Sequence, residues 1–154
     1  MIILLFGQPA SGKTTLANEL ANKGTIHQFS SKKQVLIDGD RWRDITQNKD
    51  YSKEGRLKNL KGAFDMALYL EKEGFFPILS FVTPFEELRQ YLNEKSEKLI
   101  QIYLTYNTDR GRNKYFANEF DQPNGSYLHL NTSELSIDDC LTKIKEYVAE
   151  KSTC

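Results

Sequence analysis

The sequence lacks the features that would tie the chain to a membrane or to nucleic acid. Its longest apolar runs, residues 2–6 and 75–82, are far shorter than the ~20 residues of a membrane-spanning helix. Lysine plus arginine and aspartate plus glutamate both number 21, so the formal net charge is zero and no general field attracts a polyanion. We therefore expect no membrane and no nucleic-acid partner, and any anion must be bound locally.

Cysteine is also scarce, and nothing in the sequence divides the chain. Cys140 and Cys154 are its two cysteines, so we expect no structural disulfide and place the chain in the cytoplasm. No basic stretch precedes the first apolar run and no small-residue cleavage site follows it, which favours a strand over a signal peptide. Repeats, low-complexity tracts and Gly/Ser-rich linkers are absent, so we expect a single domain over residues 1–154.

Short apolar runs alternate with segments of helical period. This alternation predicts an α/β fold of the P-loop kinase type, a mostly parallel sheet of about five strands flanked by helices. Strands are expected at residues 1–6, 34–38, 76–82, 99–105 and 126–130, and helices at 13–22, 53–73, 84–95 and 137–151. Gly74 is expected to end the second helix. Two capping patterns mark helix starts, Thr83-Pro84 with Glu86 and Ser136 with Asp139.

The segment Gly-Gln-Pro-Ala-Ser-Gly-Lys-Thr at residues 7–14 matches the phosphate-loop pattern and lies between a predicted strand and a predicted helix. The glycines let backbone N–H groups face phosphates, and the helix dipole favours negative charge there. Lys13 is suited to the β and γ phosphates of ATP, and the Thr14 hydroxyl to Mg²⁺. The alternative is a chance glycine turn before a helix. The predicted ATP-binding residues are Gly7, Gln8, Pro9, Ala10, Ser11, Gly12, Lys13, Thr14 and Thr15.

A second apolar strand ends in two carboxylates, Asp38 and Asp40. In an α/β sheet these side chains would lie at the same carboxyl edge as the phosphate loop. One of them is suited to Mg²⁺ and the other to orienting an attacking hydroxyl or accepting its proton. Asp-Gly-Asp is by itself a common surface turn, but its position about 25 residues after a phosphate loop favours a catalytic pair together with Lys13.

Basic and polar residues follow this strand. Arg56 and Asn59 are three residues apart, so they share one face of the predicted second helix and are suited to an anionic acceptor. The alternative is a solvated basic face. Trp42 either covers a base or fills core. His27 and His129 stand apart from any metal-ligand cluster, so a zinc site is not expected.

Several of these segments resemble the adenylylsulfate kinase family, whose members phosphorylate the 3′-hydroxyl of adenosine 5′-phosphosulfate. Residues 38–43 resemble the family motif Asp-Gly-Asp-Asn-x-Arg, with Arg41 in place of its asparagine. Residues 51–62 resemble an aromatic-Ser block followed by Arg and Asn, and residues 80–85 resemble Ser-Phe-Ile-Ser-Pro-Phe. Looser matches at 110–123 and 128–137 extend the resemblance over nearly the whole chain.

The resemblance implies roles for individual residues. Arg43, Arg56 and Asn59 would hold the phosphosulfate group, and Tyr51 and Phe116 would sandwich the base. Asp40 would be the acid/base carboxylate, with Asp38 and Thr14 at Mg²⁺. Thr83 and Lys114 would be further substrate contacts, from the residue 80–85 segment and the lid. The family also suggests a homodimer.

Departures from the family pattern leave the acceptor open. Arg41 replaces asparagine, Gly62 replaces an arginine, and the lid at residues 110–114 is shorter. A relative of the family acts on cytidine diphosphoramidate in capsular polysaccharide modification, which makes that nucleotide an alternative acceptor. A nucleotide-binding module without catalysis is another alternative. A nucleic-acid end kinase is disfavoured by zero net charge and the lack of a basic stripe.

Overall fold

The computed structural model describes residues 1–22, 25–107, 110–111, 117 and 119–152. Within these residues the chain forms five strands and five helices, with a short 3₁₀ turn at His27–Phe29. The strands are β1 (Ile2–Phe6), β2 (Gln34–Asp38), β3 (Phe76–Phe81), β4 (Leu99–Thr105) and β5 (Leu128–Asn131). The helices are α1 (Lys13–Asn22), α2 (Gly39–Thr46), α3 (Lys53–Lys72), α4 (Glu86–Lys95) and α5 (Ile137–Ser152).

The strands form one parallel sheet in the order β2-β3-β1-β4-β5. Phe6 at the end of β1 pairs with Phe81 and Tyr103, and Asp38 at the end of β2 pairs with Ser80. Since all strands point the same way, their carboxyl ends meet at one edge, where the loop after β1 and the start of α2 follow. The predicted α/β architecture with a parallel five-stranded sheet is confirmed.

Both faces of the sheet carry apolar cores, and β1 contributes to both. Ile3 and Leu5 pack under α1 and α5, while Ile2, Leu4 and Phe6 pack under α3 and α4. All five are fully buried, which is why β1 is continuously apolar rather than alternating. At roughly 2 kcal/mol for each fully buried aliphatic side chain, this strand is a major contribution to the core. It fixes the position of the loop that follows.

Most predicted boundaries agree with the structure to within two residues. Gly74 has φ +92 and its N–H bonds the Glu71 carbonyl, so it ends α3 as expected. The cap at α5 is reciprocal: the Asp139 N–H donates to Ser136 Oγ at 3.1 Å, and the Ser136 N–H donates to Asp139 Oδ2 at 3.3 Å. The apolar face of α3 is buried at Leu60, Phe64 and Ala67 and half-buried at Leu57, Leu68 and Leu70.

One expected helix cap is wrong, and one helix had no prediction. α4 begins at Glu86 and not at Pro84, and Thr83 does not cap it, because the Thr83 hydroxyl donates to the Phe81 carbonyl at 3.2 Å. The Glu86 N–H instead donates to Oδ2 of Asp121 at 3.0 Å, a partner 35 residues away. Helix α2 was not predicted, because it has only two apolar side chains in eight residues and buries none of its residues fully.

The start of helix α2 is determined by the side chain of Asp38. Oδ2 of Asp38 accepts the Arg41 N–H at 3.4 Å, which makes the last residue of β2 the N-cap of the helix. Trp42 is half-buried and packs against the core under α3. Of the two interpretations of Trp42, the structure therefore supports the one in which it fills core. No helix in the described ranges combines the length and the apolar character needed to cross a membrane.

Candidate active site

The loop at residues 7–12 turns sharply between β1 and α1. Gly7 and Gly12 have φ values of +153 and +102, and Ala10 has φ +67, a left-handed value that a side chain rarely adopts. A Cβ at Gly7 would collide with the carbonyl oxygen of Leu104 in the neighbouring strand. The glycine is therefore required by close packing as well as by backbone conformation.

Four successive carbonyl groups of this loop accept hydrogen bonds from side chains that lie outside residues 7–12. The Gln8 carbonyl accepts from Lys13 Nζ at 2.9 Å and the Pro9 carbonyl from the Tyr106 hydroxyl at 2.6 Å. The Ala10 carbonyl accepts from Arg110 Nη1 at 2.8 Å, and the Ser11 carbonyl from the Thr132 hydroxyl at 2.9 Å. With the carbonyl groups engaged in this way, the loop is preorganised and needs little rearrangement to bind an anion.

Lys13, the first residue of α1, is 8% exposed. Besides the Gln8 carbonyl, its ammonium group lies 3.4 Å from Ser11 Oγ. Both of these acceptors are neutral, so an ATP phosphate would be a stronger partner for the charge. Lys13 lies where the sequence predicts it.

Thr14 and Asp38 meet between α1 and β2. The Thr14 hydroxyl donates to Asp38 Oδ1 at 2.7 Å and lies 3.4 Å from the Ser80 hydroxyl. Asp38 is 5% exposed and Ser80 is 2% exposed. A carboxylate beside two hydroxyls is a set of hard oxygen donors, which fits the ligand preference of Mg²⁺.

A cavity of about 500 Å³ opens at this edge of the sheet. Its volume is that of a typical small-molecule site. Among the predicted site residues, it is lined by Pro9, Ala10, Gly12, Lys13, Thr14, Thr15, Asp38, Asp40, Arg43, Tyr51, Arg56, Asn59 and Thr83. Gly7 and Ser11 are buried within the loop and do not line the cavity. The Gln8 side chain forms hydrogen bonds with the backbone of Ala117. Lys114 and Phe116 lie outside the described residues.

Arg43 and Arg56 meet at the ring of Tyr51. Their guanidinium carbons lie 4.2 Å and 5.4 Å from its centroid. Arg43 Nη1 also bonds the backbone and side chain of Asn48 and the Asp50 carbonyl, which orders the turn before α3. Two cations therefore share one wall of the cavity.

Both guanidiniums are partly removed from water. Burial lowers the pKa of Arg43, although Tyr51, Asp40 and Asp50 oppose this shift. Burial also lowers the pKa of Arg56, and the positive charge of Arg43 lowers it further. Two neighbouring guanidiniums whose charges are disfavoured by burial gain most from an anion placed between them.

Asn59 lies one turn along α3 from Arg56, on the same face, and is 6% exposed. Its Oδ1 is buried and has no hydrogen-bond partner in the part of the chain that the structure describes. The alternative interpretation of this stretch, a basic face exposed to solvent, is therefore wrong for Arg56 and Asn59. It holds for Lys61, which is exposed and pairs with Asp65 at 2.9 Å.

A family model described as adenylylsulphate kinase matches residues 1–116, which include the loop, Asp38, Asp40 and the arginine pair. The chain belongs to this family. A probable adenylyl-sulfate kinase of Archaeoglobus fulgidus is 32% identical over 103 residues, 66% of this chain and 64% of that protein. A cytidine diphosphoramidate kinase of Campylobacter jejuni is 28% identical over 103 residues, 67% of this chain and 59% of that protein. In both cases the match spans less than two thirds of the relative's length.

Membership of the adenylylsulphate kinase family agrees with the fold. The Mycobacterium tuberculosis APS kinase, solved in complex with AMPPNP and APS, superposes with a TM-score of 0.79 and covers 96% of each chain. The sequence identity is 16%, so this likeness shows the P-loop kinase fold.

Four residues of this adenylylsulphate kinase family member contribute to the site but were not predicted from the sequence. Ser80 joins Thr14 and Asp38, while Tyr106, Arg110 and Thr132 hold the loop carbonyls. Ser80 carries a usable signal, because it lies one residue before the end of β3, at the same sheet edge as Asp38. The other three are 97, 100 and 121 residues from their partners in the sequence, and although Arg110 belongs to the expected lid, no local pattern indicates these three bonds.

Proposed function

We propose that the chain is an ATP-dependent kinase that phosphorylates the ribose 3′-hydroxyl of a nucleotide, with adenosine 5′-phosphosulfate as the first candidate acceptor. The observation that carries the proposal is the single cavity that joins the loop and Lys13 to the arginine pair at Tyr51. One side is suited to a triphosphate and the other to a second anion. A kinase with an anionic acceptor needs both.

On the donor side, the loop and Lys13 bind the phosphates of ATP. Thr14 and Asp38 would hold Mg²⁺, aided by their placement next to Ser80. Bound Mg²⁺ supplies charge neutralisation on the phosphate oxygens. The Thr14 hydroxyl donates a hydrogen bond to the buried Asp38 carboxylate, so the two side chains already lie together.

The transfer step forms a bond between the acceptor oxygen and the γ-phosphorus and breaks the bond between that phosphorus and the β-γ bridging oxygen, which leaves with ADP. The hydroxyl proton passes to Asp40. We assign this role to Asp40 because its side chain is exposed to the same cavity, whereas Asp38 is engaged by Thr14 and by the cap of α2. Lys13 and the loop N–H groups stabilise the charge on the transferring group.

On the acceptor side, Arg43 and Arg56 bind the anionic group and Asn59 contributes its amide. Tyr51 supports both guanidiniums, and the residue is 47% exposed, which suits contact with a base. Thr83, Lys114 and Phe116 complete the proposed acceptor contacts. Any nucleotide with a second anionic group at its 5′ end fits this arrangement.

Cytidine diphosphoramidate is the second candidate acceptor. The Campylobacter jejuni relative is described as a kinase for this nucleotide, and its match covers 67% of this chain. The donor chemistry and the role of Asp40 stay the same in this alternative. Arg41 and Gly62, which depart from the family pattern, lie on α2 and α3, the two helices that carry the arginine pair.

The experiment is ADP release by the purified protein with MgATP and one acceptor at a time. Adenosine 5′-phosphosulfate, cytidine diphosphoramidate, cytidine diphosphate and a sample without acceptor are compared, with Lys13→Ala as the inactive control. Rapid turnover with the phosphosulfate supports the first candidate, and preference for the phosphoramidate supports the second. ATP binding without ADP release in the presence of any nucleotide acceptor would support a non-catalytic nucleotide-binding module.

The setting of the proposed reaction follows from its donor. MgATP is abundant in the cytoplasm, and we propose that the enzyme acts there. We also propose that it is a homodimer. Its mass in solution, measured by light scattering after size exclusion, tests the oligomeric state against the 17.8 kDa of one chain.

A further inference from the structure

Arg89, on the second turn of α4, is fully buried. A buried guanidinium costs free energy unless its donors and its charge are matched. No sequence pattern described above gives Arg89 a role, and Arg89 does not line the cavity. Its contacts show what holds it in place.

The guanidinium joins two segments that are far apart in the sequence. Nη1 donates to the carbonyl of Thr83 at 2.5 Å, and Nη2 donates to the carbonyl of Asp121 at 2.6 Å. The carboxylate of Glu86 neutralises the charge, with Oε2 2.9 Å from Nε and 2.7 Å from Nη2. Arg89 therefore bridges Thr83, which follows β3, and the segment at 120–121.

Aromatic rings cover the faces of the same guanidinium. Its central carbon lies 4.8 Å from the centroid of Phe6 and 5.6 Å from that of Phe120. Phe6 is the last residue of β1, directly before the phosphate loop. The bridge is thus packed between the donor-side strand and the segment at 120–121.

Thr83 is the strained member of this arrangement. Its φ of +46 is a genuine outlier for a β-branched residue, and such strain persists only where the surroundings impose it. Thr83 and Pro84 both line the cavity. The Arg89 bond to the Thr83 carbonyl, with the bond from the Asp121 N–H to the Pro84 carbonyl at 2.8 Å, holds this wall.

We propose that Arg89 is a positioning residue that fixes the Thr83–Pro84 wall of the cavity against the segment at 120–121, and so places the acceptor for transfer. The inference rests on the proposed function for its kinetic readout. Lysine cannot replace arginine here, because one ammonium group lacks the planar fork that reaches two carbonyls and a carboxylate together.

The test compares Arg89→Lys and Arg89→Met with wild type and with Glu87→Gln, an exposed neighbour on the same helix. The acceptor is the one that gives the fastest ADP release with wild type. Both Arg89 variants should raise the KM of this acceptor by about tenfold or more and lower kcat, since a displaced wall residue can cost on the order of 10²-fold. The dissociation constant for MgATP, titrated without acceptor, should change by less than about threefold. Equal effects on ATP and acceptor, or wild-type values in Arg89→Lys, would overturn the proposal.

Amide hydrogen exchange gives a readout that needs no acceptor. In Arg89→Lys, the Asp121 amide should exchange faster while the Ile102 amide in β4 keeps its wild-type rate. Unchanged exchange at Asp121 would overturn the proposal even if no acceptor supports turnover. If wild type itself lacks acceptor-dependent turnover, the proposed function fails and the exchange result alone decides the role of Arg89. If Arg89→Met does not fold, Arg89→Lys carries both measurements.

Discussion

The hydroxyl of Thr14 donates a 2.7 Å hydrogen bond to Oδ1 of Asp38, which joins the start of α1 to the end of β2. Asp38 serves two purposes, since its other oxygen caps α2 through the Arg41 N–H. In the proposed reaction, the same two side chains would hold Mg²⁺. A substitution at Asp38 can therefore separate the metal role from the structural one.

Asp38→Asn should weaken Mg²⁺ while it keeps the helix start, because asparagine caps as well as aspartate but lacks the charge. The Mg²⁺ concentration for half-maximal activity should rise about tenfold or more, which corresponds to about 1.4 kcal/mol or more. Asp44→Asn, on the exposed face of α2, is the matched control and should keep the wild-type requirement. Activity of Asp38→Asn at the wild-type Mg²⁺ requirement would argue against this metal site.

Arg56→Ala should affect the acceptor far more than ATP, because Arg56 lines the cavity from α3 beside Tyr51 and not from the phosphate loop, and its burial favours an anionic partner. Loss of a charged hydrogen bond is worth about 1.5–3 kcal/mol, so we expect the acceptor KM to rise by about 10- to 100-fold. Steady-state kinetics with each substrate varied in turn measures both constants. Lys58→Ala, exposed on the same helix, is the control. Equal weakening of ATP would contradict the assignment.

Tyr106→Phe removes the bond to the Pro9 carbonyl and keeps the ring against which Arg110 stacks at 4.3 Å. The loop should lose part of its preorganisation, and a lost neutral hydrogen bond of about 1 kcal/mol predicts an ATP affinity lower by about fivefold. Isothermal titration with ATP checks this value. Tyr69→Phe, which is 60% exposed on α3, should bind ATP like wild type. No change in Tyr106→Phe would mean that the other carbonyl contacts suffice.

Glu71 is a buried carboxylate at the end of α3, 3% exposed. Burial would raise its pKa, but hydrogen bonds from the amino group of Met1, the Glu97 N–H and the Ser96 hydroxyl outweigh burial. The resulting pKa lies below the ordinary value of 4.5. A carboxyl with a depressed folded-state pKa stabilises the fold above its unfolded pKa, and this contribution is lost as pH falls through the folded value.

Glu71→Gln should therefore lower the free energy of unfolding at pH 7 by about 2 kcal/mol, the value of charged hydrogen bonds to a buried group. The difference from wild type should shrink as pH falls below 4.5. Urea unfolding at several pH values measures both effects, with the exposed Glu73→Gln as control. A difference that stays constant down to pH ~2.5 would contradict the role of the charge.

The fold and the donor side of the site follow from local patterns. The apolar run of β1, the loop and the first turn of α1 are contiguous, so one short segment predicts strand, phosphate site and helix together. Asp38 and Asp40 follow from the rule that parallel strands end at one edge. The missed features depend on tertiary contacts: α2 is set by the side chain of Asp38, and α4 is capped by Asp121 from outside the helix.

The acceptor side was less accessible to sequence reasoning. Helical spacing puts Arg56 and Asn59 on one face, and the family resemblance adds Arg43 and Tyr51. Neither source indicates that both guanidiniums contact the Tyr51 ring, or that Arg89 holds the strained Thr83. Such contacts join residues that are separated in sequence, and their energies depend on burial that appears only after folding.

The most direct measurement of the central proposal is the position of the new phosphate. The reaction is run with MgATP and the preferred nucleotide, and the product is read by phosphorus NMR, with the 3′-deoxy form of the same nucleotide as the matched control. We predict a new phosphomonoester on the ribose 3′-oxygen, formed one for one with ADP, and no product from the 3′-deoxy control. Phosphate found at another position, or ADP formed equally with the 3′-deoxy control, would contradict the proposed reaction.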